Sequence, residues 1–228
     1  MKVNAGLQKN YDKLMLDCMQ KIKPGTPLLL HVCCGPCSTS VLEKLADTFA
    51  ITLLYYNPNI SPPDEYHRRL AEVRELVKQL PVKYPITLIE TDYNPSAFFA
   101  AVQGLENEEE GGQRCTQCYR LRLEYAAEYA AAHGFAWYTT TLSVSPHKDA
   151  VRLNQLGEEA GQKYGINHLP ADFKKRDGYK RSLTLSSQYN LYRQDYCGCV
   201  YSLRATQKHR EEKAALDAAN FAPAKEET

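Results

Sequence analysis

The sequence predicts an α/β fold: a mainly parallel sheet, flanking helices and a cluster of cysteines at the C-terminal ends of the strands. Three observations predict it. Short apolar β-type runs alternate with longer amphipathic stretches through most of the 228 residues. The first of these runs leads directly into a cysteine group, at the strand-to-helix junction where such sheets gather ligands. Seven of the eight cysteines form three tight groups, Cys33-Cys34-Gly35-Pro36-Cys37, Cys115-Thr116-Gln117-Cys118 and Cys197-Gly198-Cys199. These lie so far apart in sequence that only a fold brings them together.

The elements follow in order. Tyr11, Leu14, Met15, Cys18, Met19 and Ile22 recur at helical spacing, and Pro24-Gly25 stops this first helix. Cys18 lies on its apolar face and reads as a buried core thiol. Residues 28–32 form a buried strand, expected at the centre of the sheet. Ser38 is the expected N-cap of the next helix, which carries Val41, Leu42 and Leu45. A second strand over 51–56 ends in Asn57-Pro58-Asn59. Pro62 and Pro63 start a long helix with Tyr66, Leu70, Val73, Val77 and Leu80 on one face. A third strand is expected over 86–90, a helix over 95–102 and an acidic loop over 106–112. Cys115 and Cys118 then open a helix that His133-Gly134 closes. A fourth strand over 135–142, a helix over 149–164 and a short apolar run over 166–169 complete the alternation. The expected organisation is an N-terminal helix over 1–27, an α/β catalytic domain over 28–204 and a charged tail over 205–228. That tail reads as a helix fraying into disorder over 221–228.

Composition narrows the function classes. Hydrophobic content of 43% and charged content of 24% are those of a globular domain. Residues 1–23 lack the layout of a signal peptide, and no apolar run is long enough for a membrane span. The expected location is the cytoplasm, where clustered thiols serve metals or catalysis rather than structural disulfides. A formal net charge of +1 supplies no global attraction to nucleic acid, so RNA contact needs a local patch. Neither G-x-G-x-x-G nor G-x-x-x-x-G-K occurs, which argues against ATP or NAD in the first loop.

Each cysteine group places soft sulfur ligands within reach of one metal ion. Cys115 and Cys118 are expected in the first turn of their helix, where the dipole favours thiolate. Gly198 lets the sulfurs of Cys197 and Cys199 face one centre. Structural zinc usually takes two C-x-x-C knuckles, and this chain has one. The run of cysteines of a ferredoxin is also missing. Spacing leaves three options open: an iron–sulfur cluster first, then zinc, then dithiol–disulfide chemistry. His31, His147, Asp149 and Tyr196 are candidate proton donors.

A second feature lies between Asp172 and Arg181. Lys174, Lys175, Arg176, Lys180 and Arg181 stand against two acids, with Phe173 and Tyr179 interleaved and Tyr189, Tyr192, Arg193 and Tyr196 following. Cations that track phosphates and rings that stack on splayed bases suit single-stranded RNA. The plainer alternative is a solvated basic loop followed by core tyrosines. Asn57 and Asn59 either hydrogen-bond a base or shape their turn.

Five motifs in order carry a family resemblance: His31-Val32-Cys33-Cys34-Gly35-Pro36-Cys37, Tyr56-Asn57-Pro58-Asn59-Ile60, Glu65-Tyr66 with Arg68-Arg69, Arg114-Cys115-Thr116-Gln117-Cys118-Tyr119, and Tyr196-Cys197-Gly198-Cys199. From about Leu28 to Arg204 the chain resembles the cobalamin-independent epoxyqueuosine reductases (QueH). The resemblance implies a Rossmann-like, HUP-type sheet. It implies reduction of the epoxide of epoxyqueuosine at the wobble position of tRNA to give queuosine, the last step of queuosine biosynthesis. It also implies a [4Fe–4S] cluster beside a second redox-competent centre, with an external low-potential electron donor. One division gives the cluster Cys33, Cys34, Cys115 and Cys118 and leaves Cys197 and Cys199 as a redox pair. Another gives it Cys34, Cys115, Cys118 and one sulfur of the C-x-C; Cys33, Cys37 and the other C-x-C sulfur then hold a single iron. The second uses all seven thiols and is preferred. An aspartate often stands at the Cys37 position in this family. The resemblance also favours the RNA reading of the basic stretch.

Overall fold

The computed structural model describes residues 9–220; the expected disorder over 221–228 lies outside them. A helix α1 (Tyr11–Met19) precedes β1 (Thr26–His31), α2 (Gly35–Leu45), β2 (Phe49–Tyr55), α3 (Pro63–Gln79), β3 (Thr87–Glu90), α4 (Pro95–Ala101), α5 (Gln113–Ala132), β4 (Trp137–Thr140), α6 (Ala150–Tyr164), β5 (Asn167–His168), α7 (Gly178–Gln188) and α8 (Val200–Asn220). All strand pairs are parallel, in the order β3-β2-β1-β4-β5. The chain therefore starts in the middle, builds outward through β2 and β3, then returns to lay β4 on the other side of β1. The carboxyl ends of β1 and β4 flank the switch point, where open α/β sheets leave a crevice.

Alternation along β1 explains the layers. Leu28, Leu30 and Val32 join Val41, Leu45, Leu53 and Val73 in a core under α2 and α3. Leu29 faces the other way, onto Leu123, Ala126, Ala130 and Leu153 of α5 and α6. Each fully buried leucine contributes roughly 1.5–3 kcal/mol, so a one-residue slip of β1 is strongly disfavoured. Met15 anchors α1 on the first core, and Cys18 is only partly buried against it.

Local chemistry moves two expected boundaries. The helix after β1 begins at Gly35, ahead of Ser38, with Pro36 in its first turn. Its N-cap is Cys34, whose Sγ accepts the Cys37 N–H at 3.4 Å, while Ser38 Oγ donates to Cys34 O at 2.8 Å. A Cβ on Gly35 would meet Glu72 O at 3.0 Å, so α2 approaches α3 closely because residue 35 has none. The fourth strand stops at Thr140, whose side chain caps a 3₁₀ turn over Thr141–Val144. The basic stretch, for which a solvated loop was the plainer alternative, is helical from Gly178 onward. The C-terminal helix runs unbroken from Val200 through Arg204.

Candidate active site

The first cysteine group hangs from the carboxyl end of the central strand. The ligand atoms of Cys33, Cys34 and Cys37 all lie within 4.8 Å of one another. Hydrogen bonds from the Cys34 and Cys37 thiols hold the Cys33 thiol well below its ordinary value. Burial pushes Cys34 up to about 12. Sharing protons with Cys33 and Cys34 raises Cys37. Without a metal the trio thus favours a single negative charge; a cation among the sulfurs would offset the cost of ionising the others.

The other two groups meet a short way off. Cys118 and Cys199 are buried together against Phe98 and Val102. Ionised Cys197 and Cys199 both act on Cys115 and Cys118, which places the four sulfurs in one neighbourhood. The expected thiolate character of Cys115 and Cys118 does not appear. Burial raises Cys115 and pushes Cys118 up to about 12, because desolvation outweighs the helix N-terminus. Gly198 between the last two cysteines has φ +129, and a Cβ there would lie 3.0 Å from Arg69 Nη1. Only glycine takes that conformation readily.

A cavity of about 640 Å³ opens at the switch point. Cys33 and Cys37 reach it from β1 and α2, Cys197 from the third group, and Val144 to Lys148 from the segment after β4. Tyr179, Ser182, Arg193 and Tyr196 form the opposite wall. Cys34, Cys115, Cys118 and Cys199 do not line it.

Four polar residues complete the site; the sequence reading named only Arg69 among them, as part of a motif and without a role. Lys148 Nζ donates to Cys197 Sγ at 3.2 Å. Gln194 Nε2 donates to Cys34 Sγ at 3.0 Å. Arg69 is buried, ion-paired to Glu65 at 2.7 Å, and donates from Nη1 to Cys197 O at 3.1 Å. Arg122, almost fully buried, contributes to the cavity lining and donates from Nε to Cys118 O at 3.2 Å. Arg122 stands four residues after Cys118 and seven after Cys115 on α5, so helical spacing was a usable signal for it. No local pattern points to Lys148.

Of the candidate proton donors, three are already occupied. His31 is buried, with Nδ1 on Thr140 Oγ1 at 2.9 Å and Nε2 on Tyr56 O at 3.1 Å. Burial first, then the Arg122 charge, lowers it to about 4, so it is neutral and tied. Asp149 caps α6, and the Tyr196 hydroxyl donates to Ser61 O at 2.7 Å. His147 is exposed on the cavity rim.

The basic stretch is partly neutralised. Lys174 pairs with Asp172 at 2.7 Å, Arg176 with Asp12 at 2.8 Å and Arg181 with Glu43 at 2.6 Å. Lys175 and Lys180 are exposed and have no carboxylate partner among the described residues. Phe173 is no stacking platform: it is buried in the core, because Ala171 and Phe173 face inward behind β5. Tyr192 packs under Arg68, 3.3 Å from its guanidinium carbon, and its hydroxyl reaches Glu65. Asn57 and Asn59 are buried. Asn57 Nδ2 ties down Val32 O at 2.9 Å, and the Oδ1 atoms of both have no protein partner.

Comparison with known proteins shows the family. The model of the family described as epoxyqueuosine reductase QueH matches residues 28–205. The chain belongs to the QueH family. Its class, an oxidoreductase, follows from that membership. The epoxyqueuosine reductase QueH of Streptococcus pyogenes serotype M1 is 39% identical over 209 residues, 89% of this chain and 81% of the relative. That of Haemophilus influenzae is 42% identical over 187 residues, 81% and 75% of the two chains. That of Thermotoga maritima is 32% identical over 188 residues, 81% and 94%. Among solved structures, a predicted subunit of a tRNA methyltransferase from Methanocaldococcus jannaschii has a TM-score of 0.44 at 16% identity, covering 71% of this chain and 76% of that one. No described helix of this QueH chain is long and apolar enough to cross a membrane.

Proposed function

We propose that this chain reduces the epoxide of epoxyqueuosine at the wobble position of tRNA to the alkene of queuosine, in the cytoplasm. The change takes two electrons and two protons and releases the epoxide oxygen as water, with an external low-potential donor as the electron source. The observation that carries the finer reading is the split of the sulfurs by the cavity: Cys33, Cys37 and Cys197 line it, and the other four do not. This supports a division in which Cys34, Cys115, Cys118 and Cys199 hold a [4Fe–4S] cluster, and Cys33, Cys37 and Cys197 hold a single iron. Seven thiols form a soft donor set that suits iron–sulfur chemistry. When bound, such a pair of centres supplies one-electron transfer and a Lewis acid.

The protein's own groups have separable tasks. Arg69 fixes the backbone of Cys197, and Asn57 fixes the end of β1, so both walls are held rigidly. Leu142 and Val144 supply an aliphatic part of the wall that would limit water around the reacting atoms. His147, on the rim, is placed to pass protons from solvent. Tyr179 and Arg193 flank the mouth and suit stacking of the modified base. Lys175 and Lys180 would meet phosphates directly. Lys174, Arg176 and Arg181 would exchange their carboxylates for them, and Tyr192 with Arg68 would extend the platform. Asn57 ties down the backbone just before Cys33, and Asn59 packs beside Gly198.

The test combines anaerobic metal analysis with turnover. Protein reconstituted with iron and sulfide should convert epoxyqueuosine to queuosine in tRNA, read by nucleoside mass spectrometry. Cys37→Ser should lose the single iron and keep the cluster and its visible absorption; Cys115→Ser should lose the cluster. Full iron and sulfide in Cys115→Ser, or a colourless wild-type protein that nonetheless turns over, would sink the iron–sulfur division. A second reading keeps Cys197 and Cys199 as a redox dithiol, and Lys148 beside Cys197 favours it. Turnover coupled to disulfide formation without iron would select it.

A further inference from the structure

Arg122 is the least explained charge in the molecule. Its side chain is 2% exposed, and Nη2 is buried without a hydrogen-bond partner. The other buried arginines have clear occupations: Arg69 pairs with Glu65, and Arg114 caps the carbonyls of the 105–108 turn. Arg122 pairs with no carboxylate among the described residues. Its one bond is from Nε to the carbonyl of Cys118. Desolvating a guanidinium without an anion is too costly to persist by accident. The groups within its reach that can carry negative charge are sulfurs: it lines the cavity with Cys33, Cys37 and Cys197 and bonds the backbone of Cys118, and these thiols become anions when they hold a metal. Lys148 adds a second cation on the same side, itself on Cys197.

We propose that Arg122 is a positioning residue whose fixed charge tunes the sulfur-bound centre, raising its reduction potential so that the anionic, reduced state is attainable from a biological donor. The inference rests on the iron–sulfur reading above. The physical reason is that a cation held in a low-dielectric site favours whichever state carries more negative charge, and cannot be screened away by solvent. Guanidinium also cannot lose its proton, so the effect is constant across the working pH range.

The experiment uses the full chain, reconstituted anaerobically, in wild-type form and as Arg122→Met, Arg122→Gln and Arg122→Lys. Iron, acid-labile sulfide and the midpoint potential are measured without tRNA; turnover is measured separately. If Arg122→Met loads the cluster, its one-electron reduction should become at least tenfold less favourable, about 59 mV more negative, with Arg122→Lys restoring most of the shift. A loaded Arg122→Met or Arg122→Gln at the wild-type potential would overturn the proposal. If both neutral variants fail to load, loading by Arg122→Lys at near wild-type potential supports it. Failure of all three variants would assign Arg122 to packing and overturn it. A wild-type protein that takes up no iron would instead overturn the reading on which the proposal rests.

Discussion

Arg69 offers the sharpest test of how the third cysteine group is held. Its side chain is 1% exposed and that of its partner Glu65 is 9% exposed, with Nε 2.7 Å from Oε1. Its Nη1 and Nη2 donate to Cys197 O at 3.1 Å and Tyr196 O at 3.4 Å. Arg69→Leu would strand a buried carboxylate with only the Tyr192 hydroxyl near it, at 3.3 Å. Removing one partner of a buried ion pair costs about 3–5 kcal/mol. The shorter carbonyl bond adds about 1 kcal/mol. We expect a loss of about 4–6 kcal/mol, a large share of the 5–15 kcal/mol typical of a domain. Urea unfolding of the reduced, metal-free protein measures it. The double variant Glu65→Leu/Arg69→Leu should recover at least about 2 kcal/mol, since it leaves no unpaired charge. A single-variant loss below about 1.5 kcal/mol, or a double variant no better than the single, would refute this account of the pair.

Three further outcomes are expected. Gly198→Ala forces a side chain into a φ of +129 and against Arg69, so it should cost about 1–3 kcal/mol; it should also lower the iron bound at saturation, and unchanged iron content would show that the C-x-C tolerates another backbone. Burial lowers His168 to about 4, with Nδ1 unpartnered, so the unfolded chain takes up its proton first. Stability should therefore fall as pH drops from about 6.5 toward about 4, by up to about 3 kcal/mol from this residue; denaturant midpoints at pH 7 and pH 5 check it, and a pH dependence that His168→Gln leaves unchanged would reject it. Lys175→Ala with Lys180→Ala should weaken tRNA binding and flatten its dependence on salt by roughly one to two counterions, without altering bound iron, and identical affinities at low and moderate salt would remove this patch from the interface.

The alternation of strands and helices was legible because it is local. Leu28, Leu29, Leu30 and Val32 put apolar side chains on both faces, as suits a central parallel strand, and the structure sets the strand between β2 and β4. The cysteine groups were legible for the same reason: each is a short spacing. The N-cap of α2 was missed because a thiol is a rare cap, and here Cys34 outcompetes Ser38 through an extended backbone and a following proline. The basic stretch was read for its charge, and its helix was overlooked because α7 follows a left-handed turn at Arg176 and Asp177 that carries no glycine until Gly178.

The sequence by itself thus determined the order of elements, the soft donor set and, through five ordered motifs, the family. Only tertiary structure decided which sulfurs face the cavity, which cations remain free and which buried charges surround the thiols. Arg69 meets Cys197 across 128 residues, and Lys148 meets it across 49. Short-range spacing encodes hydrogen bonding within helices and strands. Burial and the identity of a distant partner arise only when the sheet brings the ends of β1 and β4 together, because desolvation depends on everything that packs around a group and not on its neighbours in the chain.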